Sequence, residues 1–134
     1  MKITHIEHIG IAVLDLEESI KKYENLLNLK CYAIEEVPDQ KVITAFFKVG
    51  DTKIELIAST ESDSPVAKFI EKKGEGIHHI AFAVPDTQIA LDQFKEAGGD
   101  LIDEKPRLGS ENLLIGFAHP KSLNGVLAEF CSNK

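Results

Sequence analysis

Residues 8–29 read HIGIAVLDLEESIKKYENLLNL, and residues 79–100 read HIAFAVPDTQIALDQFKEAGGD. The two stretches align at a constant offset of 71 residues, which matches His8 with His79. Each stretch shows a strand-like pattern followed by a helix-like pattern. The agreement of both patterns indicates a chain built from two related halves.

Along the first strand of each half, large apolar residues alternate with a histidine and small residues. Because strand side chains point to alternate faces, the large residues should pack against a helix, and the other face should border a cavity. The large residues are Ile9, Ile11 and Val13, and Ile80, Phe82 and Val84; the other face carries His8, Gly10 and Ala12, and His79, Ala81 and Ala83.

Each of these strands is followed by a helix start, with Asp15 or Asp86 as the N-cap. Ser64-Pro65 predicts a short linker helix over about 64–74. Three further strands are predicted after each helix, at about 30–36, 41–48 and 52–58, and at about 100–104, 112–118 and 125–131. The prediction is an α+β fold in which two tandem β-α-β-β-β modules form a cupped mixed β-sheet around a metal site, with the helices outside. It is one domain over residues 4–133, with modules at about 4–58 and 76–132.

Composition is typical of a soluble globular protein with one compact domain: the chain has 134 residues, 43% hydrophobic and 28% charged. No apolar run approaches the roughly 20 residues of a membrane-spanning helix, and no leader-like segment is visible, so we expect a cytoplasmic protein. The net charge of −7 disfavours a nucleic-acid partner. Cys31 and Cys131 have no metal-binding or redox spacing and are expected to be reduced thiols.

The last strand of each half carries a glutamate in an apolar run: Glu55 in KIELIA and Glu129 in GVLAEF. By alternation, both carboxylates should share the face of His8 and His79. Two imidazoles and two carboxylates suit a divalent ion such as Co(II), Ni(II), Zn(II) or Fe(II). Taken singly, each residue is better explained as a hydrogen-bonded core residue or an edge charge. The agreement of all four in residue type, strand parity and module position favours a shared metal site, because two unpaired carboxylates on a cavity face would be costly without a cation.

Other polar residues give weaker signals. Lys105, Arg107 and Lys121 lie in one stretch and are either a binding site for a small anion or ordinary surface charges. His5 and His78 have the wrong strand parity for the cavity, and His119 is given no role.

The duplicated HI(G/A)xAV strands and the His/Glu pattern resemble the vicinal-oxygen-chelate superfamily over essentially the whole chain. Within it, the blocks SPVAKFIEKKGEGIHHIAFAV and FAHPKSLNGVLAEF resemble the methylmalonyl-CoA epimerases and are not usual in the glyoxalase I branch. The resemblance implies interconversion of (2R)- and (2S)-methylmalonyl-CoA through a metal-stabilised enolate, an acyl-CoA substrate and a homodimer.

Residue by residue, the resemblance places metal ligands on His8, Glu55, His79 and Glu129, with Glu129 also the candidate base. It implies Co(II) first, with Zn(II), Ni(II), Mn(II) or Mg(II) as alternatives. Lys105, Arg107 and Lys121 would then hold the CoA phosphates. A second catalytic glutamate of some relatives falls on Thr44, so the second proton carrier is left unassigned.

Two other functions fit the same sequence. A glyoxalase I-type lactoylglutathione lyase would use the same four ligands, although Arg107 is the only arginine available for a glutathione carboxylate. A non-catalytic module that binds small molecules would be expected to have lost metal ligands, whereas all four residues are present.

Overall fold

The computed structural model describes all 134 residues and contains eight strands and three α-helices. In chain order these are β1 (His5–Ala12), α1 (Leu16–Leu27), β2 (Cys31–Val37), β3 (Val42–Val49), β4 (Thr52–Ser59), α2 (Pro65–Lys73), β5 (Gly76–Ala83), α3 (Thr87–Glu96), β6 (Arg107–Leu108), β7 (Leu113–Ala118) and β8 (Ala128–Asn133). The strands hydrogen-bond in the order β2-β3-β4-β1-β5-β8-β7-β6. β5 and β8 are parallel, whereas β2-β3, β3-β4 and β7-β8 are antiparallel. The predicted α+β fold with a mixed sheet is confirmed.

The chain divides into two compact units. Ile9–His78 forms a continuous unit, and Met1–His8 together with His79–Lys134 forms a discontinuous unit. The first four residues of β1 therefore associate with the second half of the sequence. The domain and module limits expected from the sequence stay predictions.

All three helix starts predicted from the sequence are confirmed. The Asp15 carboxylate accepts a hydrogen bond from Glu18 N at 3.1 Å, and the Asp86 carboxylate accepts one from Ile89 N at 3.0 Å. The Ser64 hydroxyl accepts from Ala67 N at 3.0 Å, and Pro65 occupies the first helical position. Each cap satisfies a backbone donor that the first helical turn leaves unpaired.

In the continuous unit, the two faces of the strands bury different clusters. Val13, Phe47 and Leu56 belong to the cluster that includes Tyr23 of α1. Ala12, Val42 and Ile57 pack on the opposite face with Val66 of α2. The alternation predicted for β1 is therefore confirmed: its large residues lie toward α1, and its small residues face away.

In the discontinuous unit, Val84, Phe130 and Leu91 of α3 form one cluster. Ala81, Ile115 and Cys131 form another on the opposite face. Gly116 of β7 allows α3 to lie close to the sheet, because a Cβ atom there would come within 2.7 Å of Leu91 Cδ1. Leu91 is fully buried as a result.

The prediction of a strand at about 100–104 is wrong. Leu101 makes a single bridge with Ala118, and the only strand in this region is β6. The Asp103 carboxylate accepts a hydrogen bond from Phe117 N at 2.9 Å, so a side chain takes the place of a ladder partner. Pro106 follows and cannot donate to a ladder.

The final strand also begins at Ala128 and not near residue 125, because Asn124 and Gly125 have positive φ angles of 58° and 87°.

None of the three helices is long and apolar enough to cross a membrane.

Truncating Leu91 tests the packing of α3 against the sheet. We expect Leu91→Ala to lower the free energy of unfolding by about 2–5 kcal/mol, the usual cost of a cavity at a fully buried leucine. Ile89→Ala on the same helix is the control, because Ile89 is 53% exposed and should change stability by no more than about 0.5 kcal/mol. Urea unfolding measures both; equal losses would contradict the packing described.

Candidate metal centre

Three of the predicted ligands meet within the discontinuous unit. His8 lies on β1, His79 on β5 and Glu129 on β8, with exposures of only 3%, 5% and 3%. The parallel register pairs Ala81 with Glu129, so His79, two residues before Ala81, points to the same face as the carboxylate. Strand pairing therefore brings together residues that are far apart in the sequence.

The three side chains face one another through their potential ligand atoms. The Nε2 atoms of His8 and His79 are 3.0 Å apart. Glu129 Oε2 lies 3.5 Å from His8 Nε2, and Glu129 Oε1 lies 3.5 Å from His79 Nε2. The imidazole planes are nearly perpendicular, at 88°. One ligand atom from each residue lies within 4.8 Å of the others, as the coordination shell of a single cation requires.

Glu129 shows that this cluster fits a cation. Its Oε2 atom is buried and has no hydrogen-bond partner. Burial raises the pKa of Glu129 to about 7, and the charge of His8 acts in the opposite direction. A buried carboxylate oxygen without a partner costs free energy that a bound divalent ion would offset. The donor set of two imidazoles and one carboxylate is one that Zn(II), Co(II) and similar ions accept.

An aromatic side chain covers one side of the cluster. Phe117 of β7 pairs with Glu129 in the β7-β8 register, and its ring meets His79 edge-on with centroids 5.6 Å apart. The Arg107 guanidinium lies 5.7 Å above the same ring and 3.5 Å from the Asp103 carboxylate. Sequence reasoning assigned no role to Phe117. The alternation of β7 places it on this face, but the pairing with Glu129 depends on a register that only the structure provides.

Glu55 lies in the continuous unit. It is 3% exposed, on β4, opposite Phe46 of β3. Thr44, at 2% exposure, lies two residues before Phe46 and shares that face, which is directed away from α1. The predicted face of Glu55 is therefore confirmed within its own unit, and its role as a ligand stays a prediction.

The three basic residues do not form one cluster. Arg107 lies over Phe117, on the sheet face that also carries Ala81 and Ile115. Lys121 lies 3.6 Å from the Asp100 carboxylate and lines a surface hollow with Phe94 and residues 97–100, at the end of α3. Lys105 is exposed in the connecting segment. The structure therefore separates Arg107 from Lys121.

The remaining histidines have structural partners. His78 packs edge-on against Phe69 with centroids 4.9 Å apart, and burial lowers its pKa. His119 Nδ1 accepts a hydrogen bond from Lys121 N at 3.1 Å and caps a short turn of 3₁₀ helix. His5 Nδ1 lies 3.0 Å from the Thr4 hydroxyl.

Residues 7–117 match the family model of the glyoxalase/bleomycin resistance protein/dioxygenase superfamily. The chain belongs to this superfamily. The match includes His8, Glu55 and His79 and stops before Glu129, which the structure brings next to the two histidines.

Members of the superfamily resemble this chain over nearly its full length. The uncharacterized protein YqjC of Bacillus subtilis is 42% identical over 132 residues, covering 98% of this chain and 94% of that protein. The ethylmalonyl-CoA/methylmalonyl-CoA epimerase of Cereibacter sphaeroides is 39% identical, covering 95% of this chain and 96% of the relative. Among solved structures, a variant of Streptomyces coelicolor methylmalonyl-CoA epimerase in complex with 2-nitronate-propionyl-CoA has a TM-score of 0.95 at 33% identity, covering 98% and 96% of the two chains. A probable lactoylglutathione lyase of Vibrio cholerae is 28% identical over 129 residues.

A change at Glu129 tests the cation-binding interpretation. We expect the wild-type protein to bind a divalent ion and to gain thermal stability with it, by about 2.7 kcal/mol when the free ion is at 100 times its Kd. Glu129→Gln should lose most of this gain. Without an ion it should be no less stable than the wild type, because the substitution replaces a buried carboxylate, which is costly to hold as an anion, with a neutral amide of nearly the same size.

Thermal unfolding with and without Co(II) measures both effects. Glu96→Gln is the matched control, because Glu96 is an exposed glutamate in the same unit. Equal stabilisation of the wild type and Glu129→Gln by the ion would contradict the assignment.

Proposed function

We propose that this protein is a metal-dependent methylmalonyl-CoA epimerase, an isomerase that moves the C2 proton of an acyl-CoA thioester. The observation that carries the proposal is the buried cluster of His8, His79 and Glu129, in which Glu129 Oε2 has no hydrogen-bond partner. The named epimerase relatives, which cover nearly the whole chain, support this reaction over others in the superfamily.

His8, His79 and Glu129 would hold a divalent ion, and Glu55 is the proposed fourth ligand. Co(II) is the ion we favour, with Zn(II), Ni(II), Mn(II) and Mg(II) as alternatives. When bound, the ion would supply Lewis-acid stabilisation of the negative charge that develops on the thioester oxygen. The imidazoles and carboxylates would orient it, and their burial would keep bulk water away from the reacting atoms.

Glu129 is the proposed base for one face of C2. It would accept the C2 proton, and the electron pair of the broken C–H bond would pass into the thioester as an enolate. Burial raises the pKa of Glu129 to about 7 in the absence of a cation, and a bound cation would lower that pKa and favour the ionised carboxylate, the form that accepts a proton. Return of a proton to the opposite face completes the epimerisation. Thr44 stands where some relatives have a second glutamate, and its hydroxyl is too weak a base for that step.

Two alternatives use the same fold. A lactoylglutathione lyase would employ the same ligands, but the lyase relative is 28% identical, against 39% for the epimerase relative. A non-catalytic binding module would have no need of a buried carboxylate next to two imidazoles.

We further propose a cytoplasmic homodimer.

Hydrogen exchange at C2 tests the reaction directly. In heavy water, the metal-loaded protein should replace the C2 hydrogen of methylmalonyl-CoA with deuterium, because every turnover passes through loss of that proton. Mass spectrometry measures the label. A chelator should stop the exchange, and added Co(II) should restore it. Absence of exchange, together with turnover of a methylglyoxal–glutathione adduct, would favour the lyase.

Single substitutions of Lys105, Arg107 and Lys121 by Gln test the predicted contacts with the CoA phosphates. Because the structure separates Arg107 from Lys121, each change is made alone. A residue that contacts a phosphate should weaken CoA binding on neutralisation and reduce the dependence of Kd on salt. Titration of CoA at two ionic strengths measures this, with Lys48→Gln, an exposed lysine of the continuous unit, as control. Unchanged affinity in all three variants would make them ordinary surface charges.

A further inference from the structure

Glu7 makes a short contact with one of the proposed ligands. Its Oε1 atom lies 2.6 Å from His8 Nδ1. The Glu7 side chain is only 14% exposed, and that of His8 is 4% exposed. Consecutive residues of a strand normally direct their side chains to opposite faces, so adjacency alone does not produce this contact.

The two ring nitrogens of His8 therefore have different surroundings. Nδ1 faces the Glu7 carboxylate, whereas Nε2 lies 3.0 Å from His79 Nε2 and 3.5 Å from Glu129 Oε2. The 2.6 Å separation is a hydrogen-bond distance, and if the Glu7 carboxylate accepts this bond, the proton of a neutral His8 imidazole is on Nδ1. The lone pair of Nε2 then points toward the cluster, where a cation would need it.

We propose that Glu7 is a positioning residue, which holds His8 in the tautomer and ring orientation that bind a divalent cation through Nε2. This inference rests on the proposed metal centre. The carboxylate of Glu7 would act through the imidazole and would not contact the cation. When a carboxylate accepts a hydrogen bond from the ring nitrogen that does not bind the metal, it fixes the orientation of the ligand histidine and makes the other nitrogen a stronger metal ligand.

Burial distinguishes this pair from the ion pairs on the surface. The side chains of Lys95 and Glu104, which also form a close pair, are 61% and 68% exposed, so water weakens their attraction. Glu7 and His8 are instead largely buried, and the Sγ atom of Cys131, a residue that is 1% exposed, lies within 4.8 Å of their polar atoms. A hydrogen bond to a charged group is stronger in such a region of low dielectric constant.

Cation affinity tests the proposal without reference to catalysis. We expect Glu7→Ala to bind Co(II) or Zn(II) roughly 10- to 100-fold more weakly than the wild type, the usual effect of removing such a partner. Glu7→Gln should fall between the two, because its amide oxygen can still accept the hydrogen bond without the charge. Glu96→Gln, which removes one exposed negative charge from the same unit, should bind like the wild type. Competition titration with a chromophoric chelator gives each Kd.

Nitrogen NMR of the wild-type protein provides a measurement that does not depend on how the variants fold. In the Zn(II) form, His8 should show a proton on Nδ1 and a coordinated Nε2. Coordination through Nδ1, or equal affinity of Glu7→Ala and wild type, would overturn the role of Glu7 and leave the metal centre intact. Failure of the wild type itself to bind either ion would overturn the metal centre and this inference together.

Discussion

The Glu129 carboxylate is buried beside the imidazoles of His8 and His79. One of its oxygens has no hydrogen-bond partner, and its raised pKa reflects the cost of holding charge away from water. Such a group persists in a fold when function requires it, or when a cation balances it. The parallel pairing of β5 with β8 and the antiparallel pairing of β7 with β8 fix its position between His79 and Phe117.

Much of the fold could be predicted because its signals are local. The caps at Asp15, Ser64 and Asp86 each need only a side chain and a backbone donor three residues later. The alternation of large and small side chains in β1 and β5 is visible in the sequence of each strand alone. The segment at 100–104 could not be predicted, because its conformation depends on a hydrogen bond between the Asp103 side chain and Phe117 N, fourteen residues away.

In the candidate site, too, some residues could be predicted from local sequence signals and others could not. His8, His79 and Glu129 could be predicted because the duplication identifies the histidines and strand parity gives the direction of all three side chains. Glu7 and Phe117 could not, since their contacts depend on a rotamer and on the register between strands. Lys105, Arg107 and Lys121 are close in sequence, but Arg107 lies over Phe117, whereas Lys121 lies beside Asp100 near the end of α3. Residues that are close in sequence need not be close in space when the chain forms a pair of strands between them.

The discontinuous unit has a consequence for the order in which the protein assembles. Met1–His8 joins a body otherwise made of His79–Lys134, whereas Ile9–His78 is continuous. On the ribosome, the continuous unit is complete long before Glu129 is synthesised, and His8 must wait for partners on β5 and β8. The cluster of His8, His79 and Glu129 therefore cannot form until β8 has been synthesised. A cation that needs all three side chains would find them together only after β8 has paired with β5.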